Sequence, residues 1–271
     1  MKSERLPGSP AIAIDHLGAG ELVVLMHGIG GNRKNWRPQL EALAPAFHGV
    51  AWDARGYGDS DDYEGPLHFE DFCHDLARLL DYFNQAKAHI CGLSMGGQIA
   101  QHFYRLYPDR VRSLVLAATF THWRGVLSEA ALEQYLALRR EPLQDEGKSP
   151  ADIAPAAAQT ILGPNASVTQ RAEIEQSIAS LHKESYLKTL DSATQFSKQL
   201  TLEDVNVPTL LIFSEFDKLC PAEYGRTMAA RIPHAAFEYI ADAGHLINIE
   251  QPEAFSQALI QFLRRVSSVN S

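Results

Sequence analysis

Ser94 stands in Gly92-Leu93-Ser94-Met95-Gly96, directly after the apolar run AHICG and directly before GGQIAQHFYRLY, which carries a helical pattern. A serine between glycines where a strand turns sharply into a helix is held with its hydroxyl projecting outward, a geometry suited to attack on an acyl carbon. A hydroxyl is a poor nucleophile until a base takes its proton, so an imidazole and a third group to orient it are required elsewhere. Of the 11 histidines, His245 in DAGHLINIEQPEAF lies after a late strand and before the last helix, where a loop can reach over Ser94. His102 falls on the helix after the serine and is directed into packing, and His234 precedes a strand at the opposite edge. Asp217, in LLIFSEFDKLCP, follows a strand and is the first choice for the orienting carboxylate, with Glu215 and Asp242 as competitors. The segment AATFTHWRG, after the preceding core strand, offers no carboxylate.

Acyl transfer also needs fixed donors for the oxyanion of the tetrahedral intermediate. The backbone amide of Met95 follows the nucleophile, and the loop in LVVLMHGIGG supplies a second amide, assigned to Ile29. That loop lacks the lysine of a P-loop and the spacing of a dinucleotide fingerprint. Neither HExxH nor paired metal-binding cysteines occur, so no metal and no organic cofactor are expected.

These residues need a scaffold that gathers them at one edge. AIAID and LVVLM flank HLGAG and read as two short strands of a hairpin-like opening. GVAWD, AHICG and VRSLVLAAT read as further strands. Phe72, Cys73, Leu76, Leu79, Leu80 and Phe83 form a helical stripe that leaves His74 and Asp75 exposed. Strand and helix alternate with apolar strand runs, which predicts a parallel sheet covered by helices on both faces. The alternation stops at Thr121 and resumes with VPTLLIFS, and the stretch between reads as helices alone. The expected organisation is a core of residues 1–120 and 204–271 with a helical cap at 121–203. His122, Trp123 and Arg124 stand at the cap's entry, where they could meet a substrate carboxylate or ring.

Composition narrows the partners. A chain of 271 residues with 45% hydrophobic and 21% charged residues is ordinary for a single globular core. The net charge is -9 and the 24 basic residues form no long block, which argues against nucleic acid or an anionic membrane surface as partner. MKSERLPGSP has no signal-like apolar stretch, and LVLAATF falls far short of the roughly 20 residues of a bilayer span. Cys73, Cys91 and Cys220 are an odd number without metal spacing, which suits a reducing, cytoplasmic location. The expected partner is a small molecule, and a homo-oligomer is compatible with the sequence.

HGIGG, DARGYGDS, GLSMGG, Asp217 and AGH, in the chain order Ser, Asp, His, together resemble the α/β-hydrolase superfamily over nearly everything outside residues 121–203. CGLSMGGQIAQ and AGHLINIEQPEAF are similar to its 3-oxoadipate enol-lactonase and carboxylesterase branch, although Ser214 stands where those relatives usually have glycine. The resemblance implies an eight-stranded, mostly parallel sheet with a helical cap over the site. It implies hydrolysis of a small ester or lactone through an acyl-enzyme. Carbon–carbon bond hydrolysis of aromatic ring-cleavage products is the enzymatic alternative, and a slow-turnover ligand receptor the non-enzymatic one.

Overall fold

The computed structural model describes residues 1–123, 126, 128–144, 147–195 and 200–269, the last without its side chain. Eight strands form one sheet in the order β1-β2-β4-β3-β5-β6-β7-β8. They are β1 (Lys2–Leu6), β2 (Ile12–Gly18), β3 (Leu22–Met26), β4 (His48–Trp52), β5 (Ala88–Leu93), β6 (Val111–Ala117), β7 (Thr209–Ser214) and β8 (Ala236–Ile240). From β4 to β8 every neighbouring pair is parallel, and β1 and β2 complete one edge antiparallel. β3, β5 and β7 are buried along their whole length, which is why they read as unbroken apolar runs.

The sheet corrects the hairpin expected at the start of the chain. β2 pairs with β1 and β4, and β4 separates it from β3. The stretch Lys2–Leu6, read only as lacking a signal, is the edge strand that β2 uses as its other neighbour. β3 has parallel neighbours on both of its edges, β4 and β5, and so has no edge left for β2.

Helices α1 (Arg37–Leu43), α2 (Glu70–Tyr82), α3 (Met95–Leu106), α8 (Ala222–Arg231) and α10 (Pro252–Val269) flank the sheet, α1 packing on α10 and α2 on α3. Of the predicted stripe, Phe72, Cys73, Leu76, Leu79 and Leu80 are buried on α2, Phe83 just past its end is half-buried, and His74 is exposed. Asp75 is not: it is buried, and its carboxylate receives Arg55 Nε at 2.7 Å and Arg78 at 2.9 Å. Its helical position gave no sign of these partners, one of which comes from the turn after β4. Between β6 and β7 run α4 (Glu129–Gln144), α5 (Pro150–Ile161), α6 (Val168–Ala179) and α7 (Lys183–Gln195), the inserted helical cap. A short helix, α9 (Ile247–Glu250), precedes α10.

The DARGYGDS turn is bound into the scaffold. Arg33, buried just beyond the glycine loop after β3, reaches Asp15 on β2 at 3.0 Å, Asp59 at 2.6 Å and Asp53. Asp53 also accepts the Arg33 and Asp59 backbone amides. Three segments distant in sequence are thereby fixed around one guanidinium, whose fork geometry can serve several carboxylates at once.

Candidate active site

Ser94 lies between β5 and α3 with φ 55° and ψ -115°, a conformation that costs a side-chain-bearing residue about 1 to 3 kcal/mol. Its neighbours over-determine it. The Ser94 amide donates to Ala117 O on β6 at 2.9 Å, and Ser94 O accepts Thr119 Oγ1 at 2.8 Å and the Gln98 amide at 3.1 Å. The flanking glycines are obligatory on steric grounds: a Cβ on Gly92 would lie 2.1 Å from Gly96 O, and one on Gly96 would lie 2.2 Å from Met26 O. Among the described residues Ser94 Oγ makes no hydrogen bond, and the side chain is half-buried.

His245 and Asp217 come from the loops after β8 and β7, at the carboxyl edge of the sheet where Ser94 ends β5. Their side chains meet, with His245 Nδ1 2.8 Å from Asp217 Oδ2, and each residue is only 5% exposed. Asp217 Oδ1 accepts the Leu219 and Cys220 amides, both at 2.9 Å. Burial pushes the Asp217 carboxyl up, but the His245 charge, its hydrogen bond and the two amides outweigh this and hold it below the usual carboxylate value. Ser214, the departure from the usual glycine, donates its hydroxyl to Gly244 O at 2.6 Å and so braces the histidine loop against β7. The competing acids are otherwise engaged: Glu215 accepts the Asp242 amide at 3.0 Å, and Asp242 accepts Asn165 Nδ2 at 2.6 Å.

The Cys220 thiol, which sequence spacing sets apart from any metal or disulfide pattern, belongs to this cluster. One donor atom each from Asp217, Cys220 and His245 lie within 4.8 Å of one another. As an ion site the set is compromised. Both Asp217 oxygens already accept hydrogen bonds, and burial, reinforced by the Asp217 charge, pushes the Cys220 thiol far up, away from the thiolate that binds metals.

The glycine loop is set by His27. Its Nε2 accepts the Ala54 amide at 3.0 Å, so in the neutral ring the proton sits on Nδ1, which donates to Gly28 O at 2.8 Å. Burial lowers the His27 pKa against the opposing pull of Gly28 O and Asp53, which favours that neutral ring. Gly28 O also accepts the Gly31 amide at 3.0 Å. The C=O and N–H of one trans peptide point in opposite directions, so fixing Gly28 O aims the Ile29 amide away from those donors. Among the described residues the Ile29 amide has no acceptor. Met95, as the first residue of α3, likewise has no intrahelical acceptor for its amide.

Under this loop is a cavity of about 20 Å³, walled by Ile29, Leu93 and Leu246 of the core and by Ile161 and Ile174 of the cap. Ile161 and Ile174 of the cap therefore share this cavity with Leu93 and Leu246, the chain neighbours of Ser94 and His245. His122 and Trp123 are not among its walls. His122 lies half-buried beside Thr121, and Trp123 is wedged between Phe120 and Tyr135 with ring centroids 4.9 and 4.5 Å away. Arg124 lies outside the described residues. The cap is tied to the glycine loop through Asn32 Nδ2 on Ser177 Oγ at 2.9 Å and Asn35 Nδ2 on Glu173 at 3.0 Å, contacts between distant segments that no motif announces. Among the described residues no helix is long and apolar enough to cross a membrane.

Comparison with known proteins agrees with this architecture. The chain is 28% identical to RutD of Azorhizobium caulinodans, provisionally named a carbamate hydrolase, over 90% of this chain and 92% of that one. It is 25% identical to 3-oxoadipate enol-lactonase 2 of Acinetobacter baylyi, over 90% and 88% of the two chains. A thermophilic esterase from Thermogutta terrifontis, solved with malate bound, superposes with a TM-score of 0.87 at 29% identity, over 98% of this chain and 99% of that one. The three carry different names for their reactions, so the similarity spreads over several branches where the sequence motifs suggested one. A family model described as alpha/beta hydrolase fold matches residues 21–252, and the chain belongs to that family.

Proposed function

We propose that this protein hydrolyses small carboxylic esters or lactones through an acyl-enzyme. The observation that carries the reading is the Asp217–His245 pair, 2.8 Å apart and buried, at the same sheet edge as a serine held in a strained backbone conformation. Ser94 Oγ attacks the acyl carbon while His245 Nε2 accepts its proton. Asp217 holds the ring with Nδ1 protonated, and the Ile29 and Met95 amides receive the oxyanion. His245 then returns the proton to the leaving alkoxide. Water repeats the sequence on the acyl-serine, releasing the acid and restoring the enzyme. Residues 121–203 act as one cap, with Ile161 and Ile174 closing on the acyl group. The apolar walls that Ile29, Leu93, Ile161 and Ile174 place beside the nucleophile suit an acyl group, and the enol-lactonase and esterase relatives support a small substrate.

The test is covalent labelling with a fluorophosphonate together with p-nitrophenyl acetate turnover. The label is expected on Ser94, and Ser94→Ala is expected to retain the fold while losing turnover to a residual of about 10³ to 10⁴ over water. A label on another residue, or an active Ser94→Ala protein, overturns the assignment.

A further inference from the structure

Glu250 is 7% exposed and ends the short helix α9, five residues beyond His245. A buried carboxylate is costly unless its oxygens are satisfied, and here backbone amides satisfy them. Oε2 accepts Gly244 N at 3.0 Å and Gly163 N at 2.7 Å, and Oε1 accepts Leu246 N at 3.2 Å. Gly244 and Leu246 flank His245, whose own amide donates to Ile161 O at 2.8 Å. Three successive N–H groups around His245 are therefore committed, two to Glu250 and one to the end of cap helix α5. Gly163 belongs to the loop after that helix, so the same carboxylate oxygen bridges the histidine loop and the cap. The Glu250 carbonyl is tied to the cap as well, accepting Gln170 Nε2 at 3.1 Å.

We propose that Glu250 is a positioning residue, a buried carboxylate that sets the backbone on both sides of His245 and locks it to the cap. The inference rests on the reading of His245 as the base. Asp217 fixes the rotation of the imidazole through Nδ1, but nothing in that bond fixes where the Cα of His245 stands. Glu250 does so from the backbone. Burial raises the Glu250 pKa against the opposing pull of the three amides and the nearby His245. Recruiting Gly163 to the same oxygen means that closing the cap and placing the base are one event.

The experiment measures p-nitrophenyl acetate turnover in the full chain, normalised to the number of serines that fluorophosphonate labels exhaustively. Glu250→Ala is expected to lower kcat per labelled site about 10²-fold, the cost of a misplacement of about 1 Å, with KM changed less than about threefold. Glu250→Gln keeps one oxygen for Gly163 and Gly244 and loses the bond to Leu246, so its kcat falls between alanine and wild type. Gly163→Ala approaches the clamp from the cap side and should also lower kcat per site, because its Cβ would lie 2.9 Å from Glu250 Oε2 and from Gly244 N. That variant and Glu250→Gln decide the matter if Glu250→Ala fails to fold. Unchanged kcat per labelled site in the variants that fold, with only fewer labelled sites, assigns Glu250 to the fold alone and overturns the proposal. Ser94→Ala and His245→Ala run in parallel: if they stay active, the site reading itself has failed, and if they are dead while the Glu250 and Gly163 variants match wild type, only the present inference has.

Discussion

Of the acids that compete to orient His245, namely Asp217, Glu215 and Asp242, the hydrogen bonds separate one from the other two. Asp217 holds Nδ1, whereas Glu215 and Asp242 bind an amide and Asn165 near the surface. Asp217→Asn is therefore expected to lower turnover by up to about 10⁴-fold, because an amide cannot hold the ring in the tautomer that accepts the serine proton. Asp242→Asn should leave it within about twofold, and the same ester assay compares both. A reversal of the two would move the acid to Asp242. The proposed triad of Ser94, Asp217 and His245 could be named from the sequence because each residue belongs to a short stretch whose residue types are constrained together. Cys220 and Glu250 could not. Their roles depend on which backbone amides the loops bring to them, and a buried glutamate has the same letter as an exposed one.

Among elements, local pattern identified strands and helices but not their partners. The turn HLGAG suggests that β2 and β3 adjoin, yet a short turn does not by itself fix which edges pair, and β4 takes the place between them. The cap shows the same limit. Helices without an intervening strand could be read from composition, whereas the inward aim of Ile161 and Ile174 depends on how α5 and α6 settle over the glycine loop. Ile161→Ala should enlarge the apolar cavity. The ratio of kcat/KM for p-nitrophenyl hexanoate over acetate is expected to rise by at least about tenfold, since each methylene accommodated is worth roughly 1 to 3 kcal/mol. An unchanged ratio would place the acyl chain elsewhere under the cap.

For the whole molecule, stability depends on a buried histidine outside the candidate site. His89, fully buried on β5 between Ser113 and Glu21, has its pKa lowered to about 4, with burial outweighing the Glu21 contacts. The unfolded chain takes up this proton near pH 6.5 and the folded chain only near 4, so stability falls as pH drops between those values and is fully present above them. Urea unfolding at pH 7 and pH 4.5 should show a loss in wild type that is smaller in His89→Gln by roughly 2 to 3 kcal/mol. The strained serine has a further consequence, in the order of folding. Ser94 is held by a bond to β6, and Ala118, just beyond β6, donates in turn to Ile212 of β7, whose strand begins only after the entire cap. Parallel pairings between such distant segments close slowly, because the chain entropy is lost before the contacts form. After dilution from denaturant, helical circular dichroism should therefore recover ahead of ester turnover. The nucleophile would then report, as few spectroscopic probes can, the moment at which the centre of the sheet becomes native.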